Sequence, residues 1–191
     1  RSQIKRGLRE VERTESGGAE WADAFHAVYS HRMRELGSPA HGARLFRRML
    51  EEFPEHARVV VVFDGDGPAA AAFLLGDGSR TCIPWASTLS TAMSRGLNMA
   101  LYYECLLVAV RDGSAQFDFG RTTEGSGQYK FKMQWGGAPV PLHWYRLDAE
   151  MAPPEEDTGP GRAMQLVSGT WRRLPLGLTR RLGPLLVRQF S

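Results

Sequence analysis

The run Tyr129-Lys130-Phe131-Lys132-Met133-Gln134-Trp135-Gly136 is the part of this 191-residue sequence best equipped for chemistry. Tyr129, Phe131 and Met133 alternate with Lys130, Lys132 and Gln134, which predicts a short extended segment with one apolar and one polar face. Glycines at 120, 125 and 127 precede it and allow a flexed loop. An ammonium group set by such a loop beside a reacting carbonyl stabilises the oxyanion of a tetrahedral intermediate, usually the largest electrostatic contribution in acyl transfer. The same lysines also fit a solvated face, and the local pattern leaves both readings open.

Glu104 is the lone acid within the apolar run "MALYYECLLVAV". Either it faces solvent, or it and Tyr103 turn into a cleft where a desolvated carboxylate suits general-base work on an amine. Arg121 follows a strand directly and has the charge to meet a diphosphate or Asp118. A Walker A loop fails because Ser126 stands where its lysine must be, and the Rossmann spacing of glycines is absent. Arg121, Gly125 and Gly127 come within one residue of the [QR]-x-x-G-x-[GA] loop that takes the diphosphate of acyl-CoA. His143, beside Trp144 and Tyr145, reads as a core-edge histidine. Cys82 and Cys105 read as buried reduced thiols, and no CxxC or HxxxH spacing offers a metal site.

These residues need elements to hold them. Trp21, Ala24, Phe25, Val28, Tyr29 and Met33 recur at helical spacing until Gly37 and Pro39. A second helix over 41–53 carries Leu45, Phe46, Met49 and Leu50 on one face. Short β-rich runs between 57 and 88, separated by Asp-Gly turns, predict antiparallel hairpins covered on both faces. "LNMALYYECLLVAV" predicts a buried helix, "AQFDFG" a short strand, and "APVPLHWYRL" a last strand. The order predicts a mixed α+β domain. Net charge is +3 with 42% hydrophobic residues, normal for a globular chain, and no apolar run is long enough to span a bilayer. Residues 151–161, "MAPPEEDTGPG", read as a linker before a basic, Leu-rich tail over 162–191. That tail fits either a membrane surface or a neighbouring domain, and its Pro175, Gly177, Gly183 and Pro184 are expected to break any long helix.

Residues 118–147 resemble a family pattern, D-F-G-R-[ST]-x-x-G-[ST]-G-x-[YF]-x-F-K-x-x-[WF]-G followed by a Pro-rich strand. Asp118, Phe119, Gly120, Arg121, Gly125, Gly127, Phe131, Lys132, Trp135, Gly136 and His143 all fit it. It is similar to the carboxy-terminal GNAT-like domain of FemAB-type proteins, in the subgroup tied to exosortase/PEP-CTERM and exopolysaccharide loci. "RSQIKRGL", "VYSHRMRELGSP" and "WRRLPLGLTRRLGPLLVRQF" resemble further segments of that subgroup. The resemblance implies a GNAT-like acyltransferase fold, with a mixed, mostly antiparallel central sheet flanked by helices. It implies residues 1–14 as the basic end of a preceding domain and 15–150 as the GNAT-like domain. It implies N-acyl transfer to an amino-sugar or peptide acceptor, nucleotide- or lipid-linked, from aminoacyl-tRNA or acyl-CoA, with no permanently bound cofactor and no metal. Lys132 would stabilise the transition state and Phe131 position substrate, with Glu104 as the acceptor's base. Arg121, Tyr129, Tyr103, Trp85, Gly125, Gly127, Lys5 and Arg6 would bind substrates. The expected setting is cytoplasmic, with peripheral contact to the inner membrane. One departure stands out: "PWASTLSTAMSRGL" replaces an aromatic- and glycine-rich stretch of the relatives, leaving Trp85 and Ala86 there. An acyl-CoA-dependent enzyme and a catalytically silent module supporting a first domain are the alternative readings.

Overall fold

The computed structural model describes residues 2–65, 67–143 and 162–188, the side chains of 162–166 excepted. They fall into two compact units, Arg1–Gly120 with Val167–Ser191, and Arg121–Leu166.

In the first unit β1 (Arg13–Gly17), β2 (Ala57–Phe63), β3 (Pro68–Gly76), β4 (Arg80–Thr88) and β5 (Gln116–Asp118) form one sheet in sequential order. β1 to β4 are antiparallel, as the hairpin chemistry predicts, and β5 joins β4 in parallel. The sheet is covered on both sides. Val59, Val61, Phe63, Ala71 and Phe73 pack with α2 (Ala22–Leu36) and α3 (Ala43–Glu52). Val60, Val62, Ala70, Ala72 and Leu74 pack with α5 (Leu97–Arg111), which follows the single turn α4 (Ser90–Met93). Two buried faces explain why the runs 59–62 and 69–72 are continuously apolar instead of alternating. The fold is thus the mixed α+β arrangement the sequence predicts.

Residues 1–14, assigned from sequence to the end of a preceding domain, are built into this unit. Ser2–Arg9 forms α1 and packs on α5, while Arg13 and Thr14 already pair with Phe63 and Val62 in the sheet. The contact depends on Gly7, where a Cβ would fall 2.3 Å from the Gly96 carbonyl oxygen. Arg6 adds a bond to the Ser94 carbonyl at 3.0 Å. Gly7→Ala is therefore expected to lift α1 off α5 and cost about 1–3 kcal/mol, measured as a lower urea midpoint.

The tail forms α7 (Arg162–Arg173) and α8 (Leu176–Val187). The chain breaks at Pro175, but α8 runs on through Gly183 and Pro184, contrary to expectation. Gly183 serves instead as a contact: a Cβ there would lie 2.8 Å from the Ala40 carbonyl oxygen. Arg34 donates to the Leu174 carbonyl (2.6 Å), Arg172 to that of Leu36 (3.2 Å), and Arg180 to Ser30 Oγ (2.8 Å). The tail is thus fastened to α2 of its own unit. Residues 138–143 form no strand, and the remainder of the expected last strand, with Trp144 and Tyr145, lies outside the described residues, as does the expected linker 151–161.

One buried polar contact sets a pH response. The His41 carbonyl accepts from His26 Nε2 at 3.1 Å, which requires the proton on Nε2. Burial, reinforced by Arg180, holds His26 below its usual 6.5, against the opposing His41 carbonyl and Asp23; burial also lowers His41. The unfolded chain then takes up protons first as pH falls. Stability is expected to be complete above about 6.5 and to decline below it, down through the lowered folded pKa. Melting temperatures at about pH 7.5 and about pH 5 check this, and His26→Gln should flatten the slope.

Candidate active site

The sheet opens along its β5 edge. β4 and β5 pair only over Arg80↔Gln116, Thr81↔Phe117 and Cys82↔Asp118, whereas β4 continues to Thr88. Asp118 closes the paired part, accepting from Arg80 at 2.9 Å and from the Gly120 amide at 2.7 Å. Gly120 turns the chain with φ +72°, a conformation that costs glycine nothing. Phe119 stacks on Tyr102 of α5, with centroids 6.0 Å apart and planes 9° apart, and Phe117 meets it edge-on at 5.0 Å. Burial, with Cys105 adding, pushes the Tyr102 hydroxyl up to about 12, so it stays a neutral phenol. Burial also pushes the Cys105 thiol up, with Glu104 adding, so the thiol is inert.

The second unit holds the lysine pair, but not on a strand. Gly127–Met133 forms helix α6, whose N-cap Ser126 accepts from the Tyr129 amide through Oγ at 3.1 Å. The expected extended segment is corrected by that cap: six alternating residues are too few to distinguish periods of 2 and 3.6, and a serine before good helix formers decides it. Thr122 and Ser126 hydroxyls lie 3.2 Å apart, and Gly125 takes φ +76°. Arg121, Thr122, Thr123, Ser126, Gly127 and Gln128 line an open concavity of ≈ 590 Å³. Lys132 Nζ donates to the Arg121 carbonyl at 2.8 Å, an exposed contact that holds the ammonium beside that loop. Phe131 meets Trp135 edge-on at 6.3 Å.

Lys132, Phe131, Tyr129, Arg121, Gly125 and Gly127 thus share one unit. The other predicted residues belong to the first unit and are dispersed there. Glu104 pairs with Arg111 at 3.9 Å on α5, and Tyr103 is half-buried on the same helix. Trp85 packs against His41, Phe46 and Phe73 on the α2/α3 face, opposite to the face that α5 covers. Lys5 and Arg6 are exposed on α1, Arg6 being tied to Ser94. The Asp118 carboxylate meets Arg80 and the Gly120 amide. His143 is exposed. Of the two adjacent tyrosines, Tyr102 and not Tyr103 is the one that stacks on Phe119. The clue was spacing, because Tyr102, Cys105 and Ala109 form an i, i+3, i+7 stripe, whereas Tyr103 shares its face with Val110, which is 71% exposed. Among the described residues no cluster of acids, histidines and cysteines could hold a metal ion.

The profile of the acetyltransferase (GNAT) domain family matches residues 1–133, and the chain belongs to that family. No curated protein matches it significantly. Three solved structures share the fold at low identity. A possible acetyltransferase from Clostridium difficile 630 is 8% identical with a TM-score of 0.57, over 74% of this chain and 99% of that one. The aminoglycoside enzyme AAC(6')-Iy, solved with a bisubstrate analogue of CoA, is 12% identical with a TM-score of 0.55, over 72% and 100%. The carboxy-terminal domain (DUF2156) of a protein named as a lysylphosphatidylglycerol synthetase from Agrobacterium fabrum is 14% identical with a TM-score of 0.52, over 71% and 45%. The chain is a GNAT-family acyltransferase.

Proposed function

We propose that this acyltransferase is FemAB-like: on the cytoplasmic side of the envelope it joins an aminoacyl group to an amine of an amino-sugar or peptide acceptor. The donor is an aminoacyl ester such as charged tRNA, and the product serves envelope or exopolysaccharide assembly. The acceptor nitrogen forms a C–N bond to the ester carbonyl carbon, the ester C–O bond breaks, and the amine proton leaves with the departing hydroxyl. Lys132 stabilises the oxyanion between these steps. A GNAT-like domain preceding this one would complete the enzyme.

Glu35 is the observation that favours an aminoacyl ester over acyl-CoA at the turn from β4 into α5, while the loop of Arg121, Gly125 and Gly127 is open to either donor. A strand-to-helix turn cradles a diphosphate only when its amides point outward unclaimed. In the turn from β4 into α5 the Ser90 amide and hydroxyl both donate to the Glu35 carboxylate, at 3.2 and 2.7 Å. The amides of Ala92, Met93, Arg95 and Gly96 are bonded to carbonyls of the same turn. The carboxylate, itself paired with Arg32 at 2.8 Å, occupies the two Ser90 donors in place of an anionic ligand. Burial raises the Glu35 pKa, but bonds from Arg32 and Ser90 outweigh it and hold the group below its usual value, so its charge persists.

Single-turnover amide formation tests this, with a UDP-linked amino sugar or a short peptide as acceptor and either aminoacyl-tRNA or acetyl-CoA as donor. Product from aminoacyl-tRNA alone is expected. Product from acetyl-CoA would overturn the choice of donor. No product with either, and no rise in melting temperature with any ligand, would leave a silent binding module.

A further inference from the structure

We propose that the outer face of α8 is a contact for an anionic lipid surface. Thr179 and Gly183 are buried toward α2 and the segment before α3, and Arg180 is bonded to Ser30. With the inner face fixed, the opposite face is fixed too. It presents Leu178, Leu182 and Leu185, which are 41%, 39% and 60% exposed and recur at i, i+4 and i+7. They form one apolar stripe on a folded helix. Around the helix Arg181 and Arg188, both exposed, border the stripe on one side, and exposed Arg173 stands just before α8.

Charge selects the occupant. Residues 162–191 contain six arginines and no acid, whereas residues 1–161 contain 18 basic and 21 acidic residues. The positive charge of the chain is therefore concentrated where its apolar stripe lies. Leucines sunk between headgroups with arginines at the phosphates are the arrangement of an interfacial helix. Three leucines over two turns fall far short of the roughly 800 Å² per partner that a stable protein interface buries. None of the described helices is long and apolar enough to cross a bilayer, so the contact lies on the surface. It is independent of which donor the enzyme uses.

Co-sedimentation of the whole chain with vesicles tests it, comparing pure phosphatidylcholine with phosphatidylcholine containing about one-third phosphatidylglycerol. Wild type is expected to bind the anionic vesicles at least about tenfold more tightly, with the difference shrinking as salt rises. Leu178→Ser/Leu182→Ser/Leu185→Ser and Arg181→Ser/Arg188→Ser should each lose about tenfold or more. These side chains are exposed, so unchanged melting curves will show that both variants fold. Equal binding to both vesicles, or binding to neither, overturns the proposal. So does self-association on gel filtration that the leucine variant abolishes while vesicles remain unbound, because the stripe would then be a protein contact.

Discussion

Replacing Lys132 with alanine is expected to lower single-turnover amide formation by about 10²–10³-fold while leaving KM within a small factor. The asymmetry follows from when the charge is needed. The donor carbonyl is neutral in the ground state and becomes an oxyanion only as the acceptor nitrogen adds, so an ammonium aimed there acts on the barrier and hardly on binding. The position of Lys132 is defined, since its Nζ donates to the Arg121 carbonyl at 2.8 Å and its backbone sits in a helix capped by Ser126. Alanine is at least as good a helix former as lysine, so α6 should persist and circular dichroism should not change. Lys132→Arg keeps the charge with a different reach and should restore part of the rate. Lys130 is exposed on the same helix and provides the contrast: Lys130→Ala should stay within about twofold of wild type. If both alanine variants turn over normally, the lysine run is a solvated face and the oxyanion is stabilised elsewhere.

The sheet was legible in the sequence because its turns are local chemistry. In the β3–β4 hairpin the Asp77 carboxylate accepts from the Ser79 and Arg80 amides, and Gly78 supplies φ +91°. These requirements fall on three or four adjacent residues, so their types announce them. The candidate site was legible only in part. Lys132, Phe131, Arg121 and Tyr129 lie within a dozen positions, and the family pattern spans them all, so their grouping needed no long-range inference. Trp85 and Glu104 depended on which side of the sheet each would face, and no local pattern fixes that. Trp85 pairs beside Phe73, and a register shift between Phe73 and Leu75 breaks the simple alternation along β4. α1 escaped notice for a related reason. Its sole buried residue is Gly7, and a glycine that fits against another helix looks in sequence like any flexible glycine.

Phe46→Ala is expected to be the most destabilising single truncation in the first unit, at about 3–5 kcal/mol. Phe46 is fully buried, and its ring meets those of Phe25 at 4.8 Å, Tyr29 and Trp85 at 5.2 Å, and Phe73 at 5.6 Å. Those neighbours come from α2, β3 and β4, so the ring ties α3 to three other elements at once. Truncation loses the transfer energy of a benzyl group and leaves a cavity that four rigid rings, fixed to different elements, are poorly able to close. For a chain of this size the loss corresponds to a fall in Tm of roughly 6–20 °C. Chemical denaturation with the m-value compared between variants measures it, because a lower midpoint at unchanged m reports lost stability and not a looser native state. Leu45→Ala, one residue away on the 41%-exposed side of α3, should cost less than about 1 kcal/mol. A cost near that of Leu45→Ala would mean that the aromatic cluster closes over the gap, and that α3 is held to the sheet mainly by Leu50 and Met49.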